Sequence, residues 1–306
     1  MHALIRHEGT LYRPPSEADS LILQATIGCS WNECTFCGMY RDKRFRVRPL
    51  AELAAEIEWA RAELGDGPGG VRKVFLADGD ALVARASFLA DLLRALRTAF
   101  PRLSRVSCYA SPQALQARSV AEMAELRELG LSLYYLGIES GHDAVLERLK
   151  KGVDAAEMVR VAAKAHSAGV KLSTMILLGA GGREGDASGH PGSHAHARAS
   201  AAVVNAIQPR FLSTLVMTPV EGTPLMEEAR RGRVPELSPL ELAGELRELL
   251  AGLAVDGCVF RSNHASNFLA LAGTLRKDQS RLVAALDKVL AAPERAAFRP
   301  EWMRGL

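Results

Sequence analysis

The sequence predicts an α/β fold, a six-stranded partial (β/α)6 barrel followed by a mostly helical C-terminal extension. Three observations carry that expectation. Short apolar runs alternate with longer stretches of helical periodicity, the order that builds a parallel sheet with helices outside it. The runs are apolar almost throughout, as strands buried on both faces are. Six strand-then-helix units fall short of the eight that close a barrel, so an open, curved sheet is expected. A doubly wound sheet is the alternative.

The strand candidates, in order, are Leu21–Ile27, Arg72–Ala77, Arg105–Tyr109, Leu133–Ile138, Lys171–Leu178 and Phe211–Met217. Between the first two, Leu50, Leu53, Ile57, Ala60 and Leu64 recur at three- and four-residue steps, as do Leu89, Leu92, Leu93, Leu96 and Phe100 after the second. That spacing places each set on one helix face. Ser119 with Glu122, and Ser238 with Glu241, read as capping boxes, the second with Pro239 at the first helical position. Gly130, Gly152 and Gly169 follow candidate helix ends. Gly181–Ser193 is a loop by composition. After Pro224 the pattern turns helical, with amphipathic stretches Pro239–Leu253 and Gln279–Ala292 flanking an irregular segment, Asp256–Thr274. Residues 1–20 read as an N-terminal arm, 21–225 as the core domain and 226–306 as a helical extension of the same globule.

Composition narrows the class. Apolar residues make up 48% of 306, ample for a sizeable core. No apolar run reaches the roughly 18 residues of a membrane span. The first residues, MHALIRHEGTLYRPPSEAD, lack the apolar stretch of a secretory signal, so a cytoplasmic protein is expected. A net charge of +3 is too weak to argue for a nucleic-acid binder, though it does not exclude one.

Ligands of parallel α/β folds bind where strands end. Here each end is polar or glycine-rich: Gly28-Cys29, Asp78-Gly79-Asp80, Ala110-Ser111-Pro112, Glu139-Ser140-Gly141, Gly179-Ala180-Gly181-Gly182 and Thr218-Pro219. Loops are commonly polar, which accounts for part of this. It does not account for acids after two strands and cysteines after a third.

Those cysteines are Cys29, Cys34 and Cys37, in GCSWNECTFCGMY. Thiolates select iron–sulfur clusters, zinc or copper(I). Structural zinc needs four protein ligands, which would recruit a distant fourth such as Cys108, Cys258 or a histidine. A cluster held by three cysteines leaves one iron open to a substrate or cosubstrate. Catalytic cluster, zinc and coincidence all remain open on spacing alone. Phe36 is either a flat face for a nucleobase or simply core.

The segment resembles the cluster motif of the radical S-adenosylmethionine (radical SAM) superfamily, closest to its Elp3/MiaB/NifB-like core domains, over roughly residues 15–225. The family spacing is three residues and then two; this chain has a CX4CX2C variant, with Ser30, Trp31, Asn32 and Glu33 in the first gap. The resemblance implies one 4Fe–4S cluster on Cys29, Cys34 and Cys37, its fourth iron chelated by S-adenosylmethionine. Reductive cleavage then gives methionine and a 5′-deoxyadenosyl radical that abstracts hydrogen from an unidentified substrate. It further implies that Asp78, Gly79 and Asp80 receive the cosubstrate amino group through their backbone. Glu139 and Ser140 would meet ribose or the methionine part, Phe36 and the Ile176–Gly179 strand end would lie near adenine, and Ser111 is expected among the cofactor-binding residues. A reducing donor such as flavodoxin or ferredoxin would be a partner. No general base is required.

Weaker signals keep two readings each. Arg41, Lys43, Arg44, Arg46 and Arg48 form either a solvated face or an attractor for an acidic donor or an anionic substrate; the second reading keeps RNA- or protein-modifying enzymes in play. His190, His194 and His196 are incidental loop histidines or a metal site. Arg261–Asn267 is turn and capping chemistry or a substrate contact. A zinc-stabilised binding module without catalysis is the competing class.

Overall fold

The computed structural model describes residue 5 and residues 7–65, 70–185 and 189–305; the loop expected over 181–193 therefore lies partly outside the described residues. Strands β1 (Leu21–Leu23), β2 (Thr26–Ile27) and β3 (Arg46–Val47) precede helix α1 (Leu50–Leu64). Then come β4 (Lys73–Leu76), α2 (Ala86–Ala99), β5 (Arg105–Tyr109), α3 (Pro112–Ala117), α4 (Val120–Glu128), β6 (Leu131–Glu139), α5 (Asp143–Arg148), α6 (Ala155–Ser167) and β7 (Lys171–Leu178). The rest is α7 (Ser193–Ile207), β8 (Phe211–Val216), α8 (Pro224–Arg230), α9 (Pro239–Gly252), β9 (Val259–Ser262), β10 (Leu271–Thr274) and α10 (Gln279–Ala291). Eight strands form one sheet in the order β1-β4-β5-β6-β7-β8-β9-β10, and β2 pairs with β3 separately. The result is the expected α/β alternation with a mainly parallel sheet, widened from six strands to eight.

The chain divides into two compact units. One comprises the described residues up to Asn32, Met39–Leu136 and Val161–Leu172; the other Glu33–Gly38, Gly137–Arg160 and the residues from Ser173 on.

In the first unit β1, β4 and β5 run parallel, with Ile22 opposite Phe75 and Val74 opposite Val106. Leu23, Phe75, Leu76 and Val106 are fully buried, each side chain stabilising the unit by about 1.5–3 kcal/mol. The middle of each expected helix face is buried, Leu53, Ile57 and Ala60 on α1 and Leu89, Leu92, Leu93 and Leu96 on α2, but Leu64 at the end of α1 is exposed where its spacing placed it on the buried face. Leu93→Ala would remove about 2–5 kcal/mol. The α4 capping box forms as expected, Ser119 and Glu122 exchanging bonds with each other's backbone.

The expected first strand, Leu21–Ile27, breaks after Leu23. The cause is Gln24, whose fully buried amide turns inward, accepting from Glu8 N–H at 2.7 Å and donating to Asp78 Oδ1 at 3.1 Å. Past that turn, Thr26 and Ile27 pair antiparallel with Val47 and Arg46.

In the second unit β7, β8 and β9 are parallel, Ile176 facing Thr214 and Leu212 facing Phe260. The segment Asp256–Thr274, read as irregular, instead supplies β9 and the antiparallel β10. α9 packs against both α7 and α10, and its Leu242, Leu246, Leu249 and Leu250 are buried. Its capping box, Ser238 with Glu241, is present as expected. Among the described residues, no helix is long and apolar enough to cross a membrane.

Candidate functional site

The first unit holds Cys29 on a scaffold of buried acids. Asp78 follows β4 in the left-handed region, φ 68°, and is fully buried. Its carboxylate accepts the Gly28 N–H at 2.8 Å, the Gln24 amide and both bonds of Lys43 Nζ, at 3.1 and 3.2 Å. Gly79 returns a bond from its N–H to Gly28 O at 2.9 Å. The turn after β4 and the residue before Cys29 are thus stitched in both directions. A Cβ on Gly79 would stand 2.5 Å from Cys29 Cβ and 2.8 Å from the Tyr40 ring, so Cys29 rests on bare backbone. Asp80, also fully buried, accepts from Ser30 Oγ at 2.5 Å and from Ser111 N–H and Oγ at 3.1 and 2.6 Å. Ser111 in turn caps α3 through Ala114 N–H. Cys29, Asp78, Gly79, Asp80 and Ser111 are therefore brought together, as the sequence suggested, while Gln24, Lys43 and Tyr40 were missed.

The basic run resolves into internal pairs. Lys43 is bound to Asp78, Arg48 lies buried against Glu56 at 2.8 Å and also bonds Glu52, and Arg46 pairs with Glu8. Arg41 and Arg44 are exposed. Neither a solvated face nor a basic patch describes the run as a whole.

The second unit holds Cys34 and Cys37. Between them, Thr35 N–H donates to Leu149 O at 3.0 Å, Thr35 O accepts from Leu225 N–H at 3.0 Å, and Cys37 N–H donates to Cys34 O at 3.3 Å. Phe36 packs against Val145, Leu149, Leu177 and Ala180. Glu139, with φ 65°, folds its carboxylate back over Gly137, where no side chain obstructs it, and pairs with buried Lys151 at 3.0 Å. Ser140 Oγ accepts from His142 N–H, and Gly141 N–H donates to Ser200 Oγ at 3.0 Å.

Gly179, at the end of β7 with φ 86°, donates its N–H to Glu245 Oε2 at 2.9 Å, while Glu245 Oε1 meets His196 Nδ1 at 2.7 Å. Both side chains are fully buried. His196 is therefore a helical core residue of α7 and not an incidental loop histidine; Glu245 was not foreseen. Lys151 and Glu245 carry no local motif, so only the fold reveals them.

Asn267 is buried and saturated, donating to Thr214 O and Ser262 Oγ and accepting Val216 N–H at 2.9 Å. It ties the loop after β9 to the end of β8, so turn chemistry is the reading that survives for that residue. Two cavities open at Gly179 and Met217, of about 620 Å3 reaching Thr35 and about 630 Å3 reaching the C-terminal tail.

Strand-end loops are where α/β folds bind their cofactors, and thiolates there suit a metal-bearing one. The Radical SAM superfamily description matches residues 23–186, more than half the chain, and the chain belongs to that superfamily. Over 83 residues it is 34% identical to the dual-specificity RNA methyltransferase RlmN of Xanthobacter autotrophicus, covering 26% of this chain and 20% of that one. The RlmN of Azorhizobium caulinodans gives 33% over 82 residues, with the same coverage. The chain spans about a fifth of the length of the curated relatives it matches.

Among solved structures, methylornithine synthase (PylB) shares 17% identity at a TM-score of 0.52, over 78% of this chain and 64% of that one. Coproporphyrinogen III oxidase (HemN) from Escherichia coli gives 16% and 0.53, over 76% and 51%. At those identities the likeness concerns the fold alone.

Membership brings a 4Fe–4S cluster and S-adenosylmethionine as cofactors, and the donor set fits. No disulfide joins the five cysteines, and Cys29, Cys34 and Cys37 are all partly accessible, whereas Cys108 and Cys258 are buried. Desolvation pushes the Cys108 thiol well up, with the Asp80 charge adding to the shift, and raises Cys258 to about 12. Thiolates are the ligands, so the two buried thiols are poor candidates for a fourth. Among the described residues no three His, Cys, Asp or Glu side chains gather around a point that would hold a single metal ion.

Proposed function

We propose that the chain is a radical SAM enzyme, using one cluster on Cys29, Cys34 and Cys37 to act on a substrate bound in the second unit. The observation that carries the reading is the seat of Cys29 on Gly79, braced by Asp78 and Asp80. When bound, the cluster supplies the electron that breaks a carbon–sulfur bond of S-adenosylmethionine, and the adenosyl fragment takes a hydrogen atom from the substrate. The protein's part is orientation and water exclusion. Gly79 and Asp80 offer backbone to the cosubstrate amino group. Ser111, Glu139 and Ser140 are assigned to its ribose or methionine part, and Phe36 and Gly179 to adenine. The Asp78 carboxylate is saturated by Gln24, Gly28 and Lys43 and holds the loop, which leaves only its backbone to share in the amino-group contact. Glu139, neutralised by Lys151, acts as an acceptor for hydroxyl or ammonium groups and not as a base.

The electron donor is assigned to the flavodoxin or ferredoxin class, and the compartment to a reducing cytoplasm. Residues 226–306 are assigned to substrate selection. Anaerobic reconstitution tests the reading. Brown protein with about four irons per chain, releasing 5′-deoxyadenosine when reduced with S-adenosylmethionine, is expected. Colourless protein carrying one zinc would overturn it.

The RlmN stretch favours a second reading, RNA as substrate. The internal pairing of Lys43, Arg46 and Arg48 speaks against an electrostatic footprint for it. Retention of RNA on filters at low salt, lost with rising salt, would support that reading.

A further inference from the structure

The cavity of about 630 Å3 in the second unit is walled by the ends of β7 and β8, the residues leading into α9, Phe268 and the tail from Phe298 to Arg304. Its lining is apolar for the most part, with Val216, Met217, Leu242, Phe268 and Phe298 contributing. Charge enters through few groups, and most are already neutralised. Arg183 bonds Glu241 at 2.8 Å. Arg304 lies over the Phe268 ring at 4.1 Å, makes two bonds to Glu301 at 2.6 and 2.7 Å, and donates to Thr218 Oγ1 at 3.0 Å. The N-terminus of α9, also on the wall, is closed by its own capping box, so its N–H groups are not on offer. Glu236 is exposed at the rim, where water screens its charge.

Arg299 differs. Its Nη1 donates to three backbone carbonyls, of His264, Ala265 and Asn267, at 2.9, 2.7 and 3.1 Å, and its own N–H donates to Phe268 O at 2.8 Å. The guanidinium is therefore held by one end. Among the described residues it meets no carboxylate, and its Nε and Nη2 make no hydrogen bond. A half-buried, pre-positioned guanidinium with spare donors in an apolar cavity matches a planar carboxylate, which it can take in fork geometry.

We propose that this cavity binds the substrate, and that the substrate is a small organic acid with an apolar or aromatic body whose carboxylate is anchored by Arg299. One carboxylate is enough: a single uncompensated cation and apolar walls suit a monoanion better than a phosphate chain. The proposal rests on the reading of this chain as an enzyme acting in the second unit. Its test does not depend on turnover.

Calorimetric titration of the reconstituted full-length chain with 1-naphthaleneacetate and its uncharged amide supplies that test. The acid is expected to bind about tenfold or more tighter than the amide, the worth of one charge-assisted pair. Arg299→Met should bring the acid down to the amide's affinity and leave the amide unchanged, and Arg299→Lys should keep part of the preference. Equal binding of acid and amide overturns the proposal. So does a preference that survives Arg299→Met, or no acid binding up to about 10 mM, an affinity too weak to count. Loss of amide binding in both variants makes Arg299 a structural tie and overturns it as well. Release of 5′-deoxyadenosine without substrate is measured in parallel. If it is absent from the parent protein the enzyme reading fails on its own, whatever the binding result.

Discussion

Gly79→Ala is the sharpest structural perturbation available. The added Cβ would lie 2.5 Å from Cys29 Cβ and 2.8 and 2.9 Å from Tyr40 Cε2 and Cδ2. Ordinary carbon contacts begin near 3.5 Å, so something must retreat by about 0.7–1 Å. Tyr40 is buried and stacked edge-on to Tyr12 at 5.8 Å. On the other side, Cys29 is flanked by Gly28 and Ser30, themselves bonded to Asp78 and Asp80. Neither neighbour yields cheaply, and overpacking of this kind costs about 1–3 kcal/mol. For a chain of this size that is a fall of a few degrees in Tm, about 2–4 °C per kcal/mol. The part of the strain relieved by moving Cys29 should appear as a lower iron content after anaerobic reconstitution. Gly244→Ala is the control. Outside its own helix turn, the nearest atom to its Cβ would be Leu290 Cδ2 at 4.0 Å, and alanine inside α9 should stabilise by about 0.5–1 kcal/mol. If Gly79→Ala binds iron fully and melts like the parent, the packing argument for Cys29 is wrong.

Asp78→Ala would strand Lys43, whose side chain is only 5% exposed, and should lower unfolding stability by about 3–5 kcal/mol in a denaturant titration. Glu245→Leu would leave the Gly179 N–H and His196 Nδ1 buried without an acceptor, a loss of about 1–3 kcal/mol for each group by the same titration. Single alanine changes at Cys29, Cys34 or Cys37 should reduce iron loading, whereas Cys108→Ala and Cys258→Ala should leave it unchanged by iron assay. Burial lowers His166 and His264, the latter also through Arg299. The unfolded chain therefore binds more protons as pH falls through the unfolded value of about 6.5. Stability should decline from there down to the lower folded values, and His264→Gln should flatten part of that slope in melts at stepped pH.

The fold was legible wherever one segment carried its own signal. Arg105–Tyr109 and Lys171–Leu178 are continuous runs that became strands with the same bounds. The boxes at Ser119 and Ser238 are complete within four residues. Sequence reading failed where a distant partner decides. Gln24 ends β1 because of Glu8 and Asp78, and nothing in LILQATI announces it. β9 and β10 hide because their alternation is that of part-exposed strands, not of the buried runs that marked the others. His196 sits beside a glycine-rich loop, yet its partner Glu245 is 49 positions away. The same holds for Lys43, Arg46 and Arg48 of the basic run, which pair with Asp78, Glu8 and Glu56. The candidate site was legible as residue types after strands, while the ties that hold Cys29 and Gly179 in place required the fold.

Electron paramagnetic resonance of the reduced, reconstituted protein, recorded with and without S-adenosylmethionine, tests the central claim most directly. A cluster held by three cysteines should give a signal that changes when the cosubstrate is added. A signal indifferent to it, from a cluster with every iron already held by a side chain, would contradict the account.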